Sequence, residues 1–328
     1  MSTPSELHLY SFNPRAIAYL KTRKMANKKI SSFEFFLMLC LIIFWGSSFV
    51  VVKGLLLQGL TPIAIATFRF LVAGALFLVA LVVMKVRRPL SVVFFEGKDI
   101  LAFIGLSLVG VTFFFIAQYV GIELADASVA AVLVCLLSPI LIALLSMRIF
   151  NEALKKKQLL GLAVAGIGTL LVITGGTMNL SGTTNPTFLF GSLILLLTPI
   201  LWASYTLGGK RLIEKYSPFL VVAYVSILGG LFLVPFSLAE SSLQGILTLN
   251  LQEWGAILYL AVTCSFVGYF IWFYVMSRVK AAVTSSFLFA EPLVTVLFAT
   301  TFIGENVTPL ILVGGLLIFT GVLLITRK

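Results

Sequence analysis

Residues 35–57 read FFLMLCLIIFWGSSFVVVKGLLL and carry one charge, Lys53, close to the end of the stretch. About 20 apolar residues in a helix are enough to cross the hydrocarbon core of a bilayer. Similar stretches recur along the whole chain. The sequence predicts ten membrane spans, at residues 33–56, 62–85, 100–122, 127–149, 157–175, 187–209, 217–238, 254–277, 281–303 and 307–326.

The composition supports an all-α polytopic membrane protein with ten transmembrane helices. Hydrophobic residues make up 60% of the 328 residues and charged residues 11%. A typical soluble domain has about 45–50% apolar and about 25% charged residues. A soluble fold of this size lacks the interior to bury so much apolar surface. A soluble enzyme, a disordered chain and a disulfide scaffold are therefore excluded.

The basic residues are distributed in a way that predicts the topology. Of the 23 Lys and Arg residues, 21 lie in the N-terminal segment 1–32, at the C-terminus, and in every second loop between the predicted spans. Lys and Arg accumulate in cytoplasmic loops. Both termini are therefore expected in the cytoplasm, with 1–32 as a basic cytoplasmic segment. The net charge of +11 then reports topology, and no nucleic-acid partner is expected.

The two halves of the chain share motifs at matching spacings. Trp45-Gly-Ser and Trp202-Ala-Ser are each followed by a lysine eight residues after the tryptophan. Pro139 precedes Glu152 by 13 residues, as Pro292 precedes Glu305. The spacing predicts two five-helix repeats, at residues 33–176 and 187–326. Because five is odd, the second repeat enters the membrane inverted, a common architecture of secondary transporters.

These motifs resemble the EamA-type transporters of the drug/metabolite transporter superfamily. The resemblance covers about residues 33–326 and includes the segments Phe68-Arg69-Phe70 and Glu291-Pro292. Two features depart from the family pattern: Asn151-Glu152 stands in place of Gly-Glu, and the seventh span has no counterpart of Arg69. The resemblance implies export or exchange of small metabolites, often amino acids, across a plasma membrane.

Arg69 and Glu291 are the charged residues deepest in the predicted spans. At 1.5 Å per residue, Glu291 lies about 16 Å from one boundary and Arg69 about 10 Å from the other. Charges at such depth face the bundle interior and mark functional sites by default. Glu291 either exchanges protons, binds a substrate ammonium, or only holds its helix in place. Arg69 is either a structural clamp or an anion site. If their helices touch, the two head groups are expected to pair.

A set of polar and aromatic residues is predicted to line a central cavity. Aromatic walls with a few polar groups are typical of small-molecule sites. The alternative is that these aromatic residues only pack or face lipid. Pro139 and Pro292 interrupt spans 4 and 9 and act either as hinges or as tolerated kinks. The predicted cavity residues are Trp45, Ser48, Gln118, Tyr119, Ser138, Trp202, Tyr205, Tyr269, Trp272 and Glu291.

The sequence contains no Walker A motif, no GxSxG or HExxH motif, and no cluster of metal ligands. No catalytic residue, metal or cofactor is therefore expected. The sequence predicts a secondary transporter in the bilayer, monomeric or homodimeric, that carries a small-molecule substrate by alternating access. Two alternatives stay open: an integral-membrane enzyme acting on a lipid-linked substrate, or a channel.

The alternating basic loops make a testable prediction about sidedness. Single cysteines introduced at Lys156 and at Asn179 should react with a membrane-impermeant maleimide from opposite sides of the membrane, because the two positions lie in successive loops. Accessibility in intact cells and in inverted vesicles checks this. Labelling of both positions from one side would disprove the ten-span topology.

Overall fold

A computed structural model describes residues 30–87, 96–124, 132–174, 186–303 and 309–326, and these ranges contain no β-strand. Predicted positions outside them, among them Asn179, Glu305 and most of segment 1–32, lie beyond the described residues. Eight helices are α1 Ser32–Leu57, α2 Pro62–Arg87, α3 Gly97–Leu124, α5 Lys156–Thr174, α6 Pro186–Leu212, α7 Pro218–Ala239, α8 Leu251–Met276 and α10 Pro309–Thr326. Two helices contain an irregular segment: α4 joins Val132–Leu137 to Ser138–Ile149, and α9 joins Ala281–Ser285, Ser286–Ala290 and Glu291–Ile303.

Each of the ten predicted segments coincides with one of these helices. Within the described ranges, seven helices are long and apolar enough to cross a membrane: α1, α2, α3, α6, α7, α8 and α9. Local signals explain where several begin. Ser31 and Glu34 form a capping box that starts α1, because side-chain oxygens satisfy the first free N–H groups of a helix. Asn250 and Glu253 do the same for α8.

The outer surface of the bundle is apolar, and a set of polar side chains is buried within an interior that is itself largely apolar. Large exposed side chains include Phe36, Leu101, Leu193, Leu316 and Phe319. The buried polar set is Glu34, Ser47, Thr67, Arg69, Ser107, Thr112, Gln118, Ser138, Ser146, Glu152, Thr169, Thr198, Thr206, Lys210, Ser226, Ser237, Ser265, Thr284, Ser285, Ser286 and Glu291. Extended apolar surface on this scale indicates contact with lipid.

The contacts between helices occur in matched sets. When helix n of the first half packs on another helix, helix n+5 packs on the counterpart of that helix. Helix α5 packs on α10 and α2 packs on α7, so each of these pairs maps onto itself. The contact of α1 with α9 has its counterpart in α6 with α4. Likewise α1 with α8 corresponds to α6 with α3, and α2 with α8 to α7 with α3.

Four glycines bring α5 and α10 into close contact. A Cβ atom on Gly161 would lie 2.7 Å from the carbonyl oxygen of Gly321, and one on Gly168 would lie 2.6 Å from that of Gly314. The absence of a side chain therefore allows the two backbones to touch, as in other small-residue contacts between membrane helices. By sequence spacing, Gly161 corresponds to Gly314 and Gly168 to Gly321. Each glycine of α5 therefore contacts the counterpart of the other one: Gly161 meets Gly321, and Gly168 meets Gly314.

Irregular helical turns occur at corresponding places in the two halves. Residues Leu108–Phe113 of α3 and Leu260–Val267 of α8 are π-helical. In α4 and α9, regular α-helix starts at Ser138 and at Glu291, each followed by a proline. Wide or tight turns of this kind are frequent at functional sites. Pro139 and Pro292 thus stand where an irregular turn becomes a regular helix.

An ionic cluster joins the start of α3 to the segment after α6. Lys215 Nζ lies 2.9 Å from Glu96 Oε2 and also bonds Asp99. Hydrogen bonds from Lys98 and Lys215 hold the pKa of Glu96 below its ordinary value of 4.5, and the bond to Asp99 raises the pKa of Lys215. The ionised carboxylate of Glu96 stabilises the folded protein at pH values above its ordinary pKa. This stabilisation is lost as the pH falls through the lowered pKa of the folded state.

The glycine contact predicts a stability difference between two matched substitutions. Gly161→Ala should lower the Tm in detergent, because over-packing costs about 1–3 kcal/mol and exceeds the roughly 1 kcal/mol gained in helix propensity. Gly54→Ala is the control, because a Cβ there meets no atom within 4 Å, and it should keep or raise the Tm. Equal Tm values for the two variants would contradict the proposed contact.

Candidate functional site

One cavity of about 470 Å³ lies in the centre of the bundle. Residues of α1, α2, α3, α4, α6, α8 and α9 line it, so both halves of the chain contribute. The lining residues are Trp45, Ser48, Phe49, Arg69, Phe114, Phe115, Gln118, Val134, Cys135, Trp202, Tyr269, Leu288 and Glu291.

Aromatic rings from both halves form one wall of the cavity. The ring centroids of Trp45 and Trp202 are 5.3 Å apart, and those of Trp45 and Tyr269 are 5.9 Å apart. The indole N–H of Trp45 donates to the carbonyl oxygen of Cys264 over 2.9 Å, in the π-helical part of α8. This bond helps to fix the orientation of the indole ring at the cavity wall.

Gly46 determines how closely α9 approaches α1. A Cβ at this position would lie 2.9 Å from the carbonyl oxygen of Glu291 and 2.7 Å from Cβ of Val294. Thr295 Oγ1 donates to the Gly46 carbonyl over 2.8 Å. The Trp-Gly-Ser motif therefore supplies a cavity wall in Trp45, a close helix contact in Gly46, and a polar lining group in Ser48.

Arg69 is 3% exposed and is held by neutral partners. Its Nε donates to Ser265 Oγ over 2.7 Å and its Nη1 to Tyr119 Oη over 2.8 Å. The Phe115 ring lies 4.6 Å from the guanidinium carbon, at cation–π distance. The guanidinium is always charged, and these contacts orient the charge without neutralising it.

Glu291 is 5% exposed and also has only neutral neighbours. Cys135 Sγ donates to its Oε2 over 3.5 Å, and its Oε1 has no hydrogen-bond partner. Tyr269, which lines the same cavity, likewise has a buried hydroxyl without a partner. A buried polar group without a partner is costly, and both of these groups belong to residues that line the cavity.

The expected pairing of Arg69 with Glu291 is wrong for this conformation. The guanidinium bonds Ser265 and Tyr119, and the carboxylate meets Cys135. Both charged residues nevertheless line one cavity. Depth along the helices does place the two groups at similar heights, but it does not fix which helices are neighbours or which way the side chains turn.

Most of the predicted cavity residues do line the cavity. They are Trp45, Ser48, Gln118, Trp202, Tyr269 and Glu291. Tyr119 instead holds Arg69, and Tyr205 and Trp272 pack against Trp202 at centroid distances of 5.4 and 5.6 Å. Ser138 is buried without a partner and does not line the cavity.

Two classes of lining residue escaped prediction. Cys135 resembles an ordinary packing residue in an apolar run, although its position three residues before Ser138 places it on the same helix face. Phe49, Phe114, Val134 and Leu288 carry no polar signal that distinguishes them from the other apolar residues of their helices.

A buried ion pair lies away from the cavity. Lys210, at the end of α6, forms an ion pair with Glu152, and the two side chains are 7% and 8% exposed. Glu152 also accepts the backbone N–H of Ala281 over 3.0 Å, at the start of α9. The contact therefore joins the segment after α4 to two helices of the other half. Lys53, the repeat counterpart of Lys210, is exposed.

Removing one member of this pair is expected to destabilise the bundle. Glu152→Gln leaves Lys210 buried without its counter-ion, which typically costs about 3–5 kcal/mol. Thermal unfolding in detergent should show a lower Tm, whereas Glu214→Gln, at an exposed position, should leave it unchanged. An unchanged Tm for Glu152→Gln would show that the pair carries no stability.

Comparison with known proteins places this bundle in a family. The profile of the EamA-like transporter family matches residues 32–174 and again residues 189–327. A solved crystal structure superposes with a TM-score of 0.71 at 18% identity, covering 90% of this chain and 99% of that one. At this identity the superposition shows the fold alone.

Two similar sequences carry functional names. An "Uncharacterized transporter" of Archaeoglobus fulgidus is 29% identical over 289 residues, which are 88% of this chain and 95% of that protein. A "Probable amino-acid metabolite efflux pump" of Salmonella typhimurium is 28% identical over 296 residues, 87% of this chain and 92% of that protein. Together with the apolar helices, the profile matches identify a multi-pass membrane transporter, and the chain belongs to the EamA-like transporter family.

Proposed function

We propose that the protein is a secondary transporter that moves small metabolites, such as amino acids, out of the cell across the plasma membrane. It works by alternating access of two inverted five-helix repeats, residues 33–176 and 187–326. The relative named as an amino-acid metabolite efflux pump supports this class of substrate. The basic loops then face the cytoplasm together with both termini.

The central cavity is the observation that carries the proposal. Trp45 and Arg69 come from the first half, and Trp202 and Glu291 from the second half. Substrate sites of transporters built from inverted repeats lie at the interface between the repeats. A solute bound between these four residues therefore contacts both halves, and a movement of one half against the other can change the side from which the solute is reached.

The packing of the helices supports the two-repeat arrangement. Glycines at equivalent repeat positions meet crosswise between α5 and α10, as expected for antiparallel copies related by a two-fold axis. The paired contacts between helices n and n+5 follow the same rule. In such a protein the two halves can exchange conformations, which turns an opening on one face into an opening on the other.

Transport by the purified protein tests this function. Proteoliposomes should take up labelled amino acids, and preloading with unlabelled substrate should accelerate uptake, because a carrier returns faster when loaded. Trp202→Leu should raise KM about two- to tenfold, as expected for the loss of an aromatic contact worth about 0.5–1.5 kcal/mol.

The matched control is Trp254→Leu, which removes a half-buried tryptophan away from the cavity and should leave KM unchanged. Uptake that is linear in concentration and unaffected by preloading would favour a channel. The absence of uptake of any small metabolite in a broad panel would reject the proposal.

A further inference from the structure

We propose that the cavity recognises its solute as a zwitterion, with Arg69 binding a carboxylate and Glu291 binding an ammonium group of one molecule. This inference rests on the proposed transport function, since it concerns the solute of the same cavity. It adds an orientation to the bound molecule and assigns a recognition role to each of the two buried charges.

The first support is the electrostatics of the cavity. Arg69 and Glu291 both line it, yet each has only uncharged neighbours: Ser265 and Tyr119 for the arginine, and Cys135 for the glutamate. Arg69 is always charged, and Glu291 becomes a carboxylate when an ammonium group pairs with it, so the occupied cavity holds two opposite charges. A solute with the opposite arrangement of charges neutralises both at once, whereas a purely cationic or anionic solute leaves one charge uncompensated.

The second support is the free hydrogen-bonding capacity on each side. A guanidinium carries five N–H donors, and hydrogen bonds to Ser265 and Tyr119 are the ones it makes within the described part of the chain. Donors therefore remain for a carboxylate, which arginine binds with matching planar geometry. On the other side, Glu291 Oε1 has no partner and is free to accept from an ammonium group.

The third support is the chemistry of the wall between the charges. Trp45 and Trp202 present aromatic rings beside the cavity, and aromatic faces attract ammonium groups. Phe49, Val134 and Leu288 add apolar surface, which suits an aliphatic or aromatic side chain. The geometry points to amino acids with apolar side chains.

Three compounds of similar shape separate the two charges. Leucine is a zwitterion, leucinamide keeps the ammonium and lacks the carboxylate, and 4-methylpentanoic acid keeps the carboxylate and lacks the ammonium. Binding to the purified protein can be followed by intrinsic tryptophan fluorescence, because Trp45 and Trp202 line the cavity. The parent protein should bind leucine at least about tenfold more tightly than either analogue, as expected for the loss of one charged contact.

Two substitutions should remove the two preferences separately. Glu291→Gln should bind leucine and 4-methylpentanoic acid with affinities within about twofold of each other, since a neutral amide does not attract the ammonium group of leucine as a carboxylate does. Arg69→Gln should bind leucine and leucinamide within about twofold, and Arg69→Lys should restore part of the carboxylate preference. Glu214→Gln and Lys53→Gln, both at exposed positions, should keep the parent ranking.

The outcomes distinguish this inference from the proposed function. Equal binding of the three compounds by the parent protein, or an unchanged ranking in Glu291→Gln, would overturn zwitterion recognition. The parent measurement keeps this test decisive even if a variant does not fold. Selective binding of leucine without any transport in proteoliposomes would instead retain the recognition mode and reject the transporter proposal.

Discussion

The requirement to shelter two ionisable side chains, Arg69 and Glu291, inside an apolar bundle governs the architecture of this protein. An arginine or glutamate in contact with lipid costs several kcal/mol, so both must face the interior. The helices meet this requirement by surrounding a cavity rather than by closing on it. Ser265, Tyr119 and Cys135 supply hydrogen bonds at the wall, and aromatic rings line the rest of it.

Close backbone contacts explain how the cavity wall is held in position. Gly46 allows α9 to lie against α1 at Glu291, so the carboxylate is positioned by a helix contact and not only by its own bonds. The glycines of α5 and α10 form a second contact at the side of the bundle. Both contacts depend on glycine having no side chain, because the closely packed backbones leave no room for even a methyl group.

Much of the fold was predictable because it depends on patterns along the chain. The apolar runs predicted ten helices at the observed places, and the aromatic residues near the middle of the spans predicted a cavity that Trp45 and Trp202 do line. The pairing of Arg69 with Glu291 was wrong because sequence spacing gives depth and says nothing about the lateral position of a helix. Cys135 was missed because a thiol in an apolar run looks like packing. Tyr205 and Trp272 lie behind Trp202 because a helical face is wider than the cavity it borders.

The buried pair of Lys210 and Glu152 has a kinetic consequence. If the bundle opens at the end where this pair lies, the two side chains must separate in every cycle, and each 1.4 kcal/mol of their interaction slows that opening about tenfold. Because the pair is buried, dissolved salt screens it little. The opening rate at this end is then insensitive to ionic strength, and a weaker pair would shorten the resting period between turnovers.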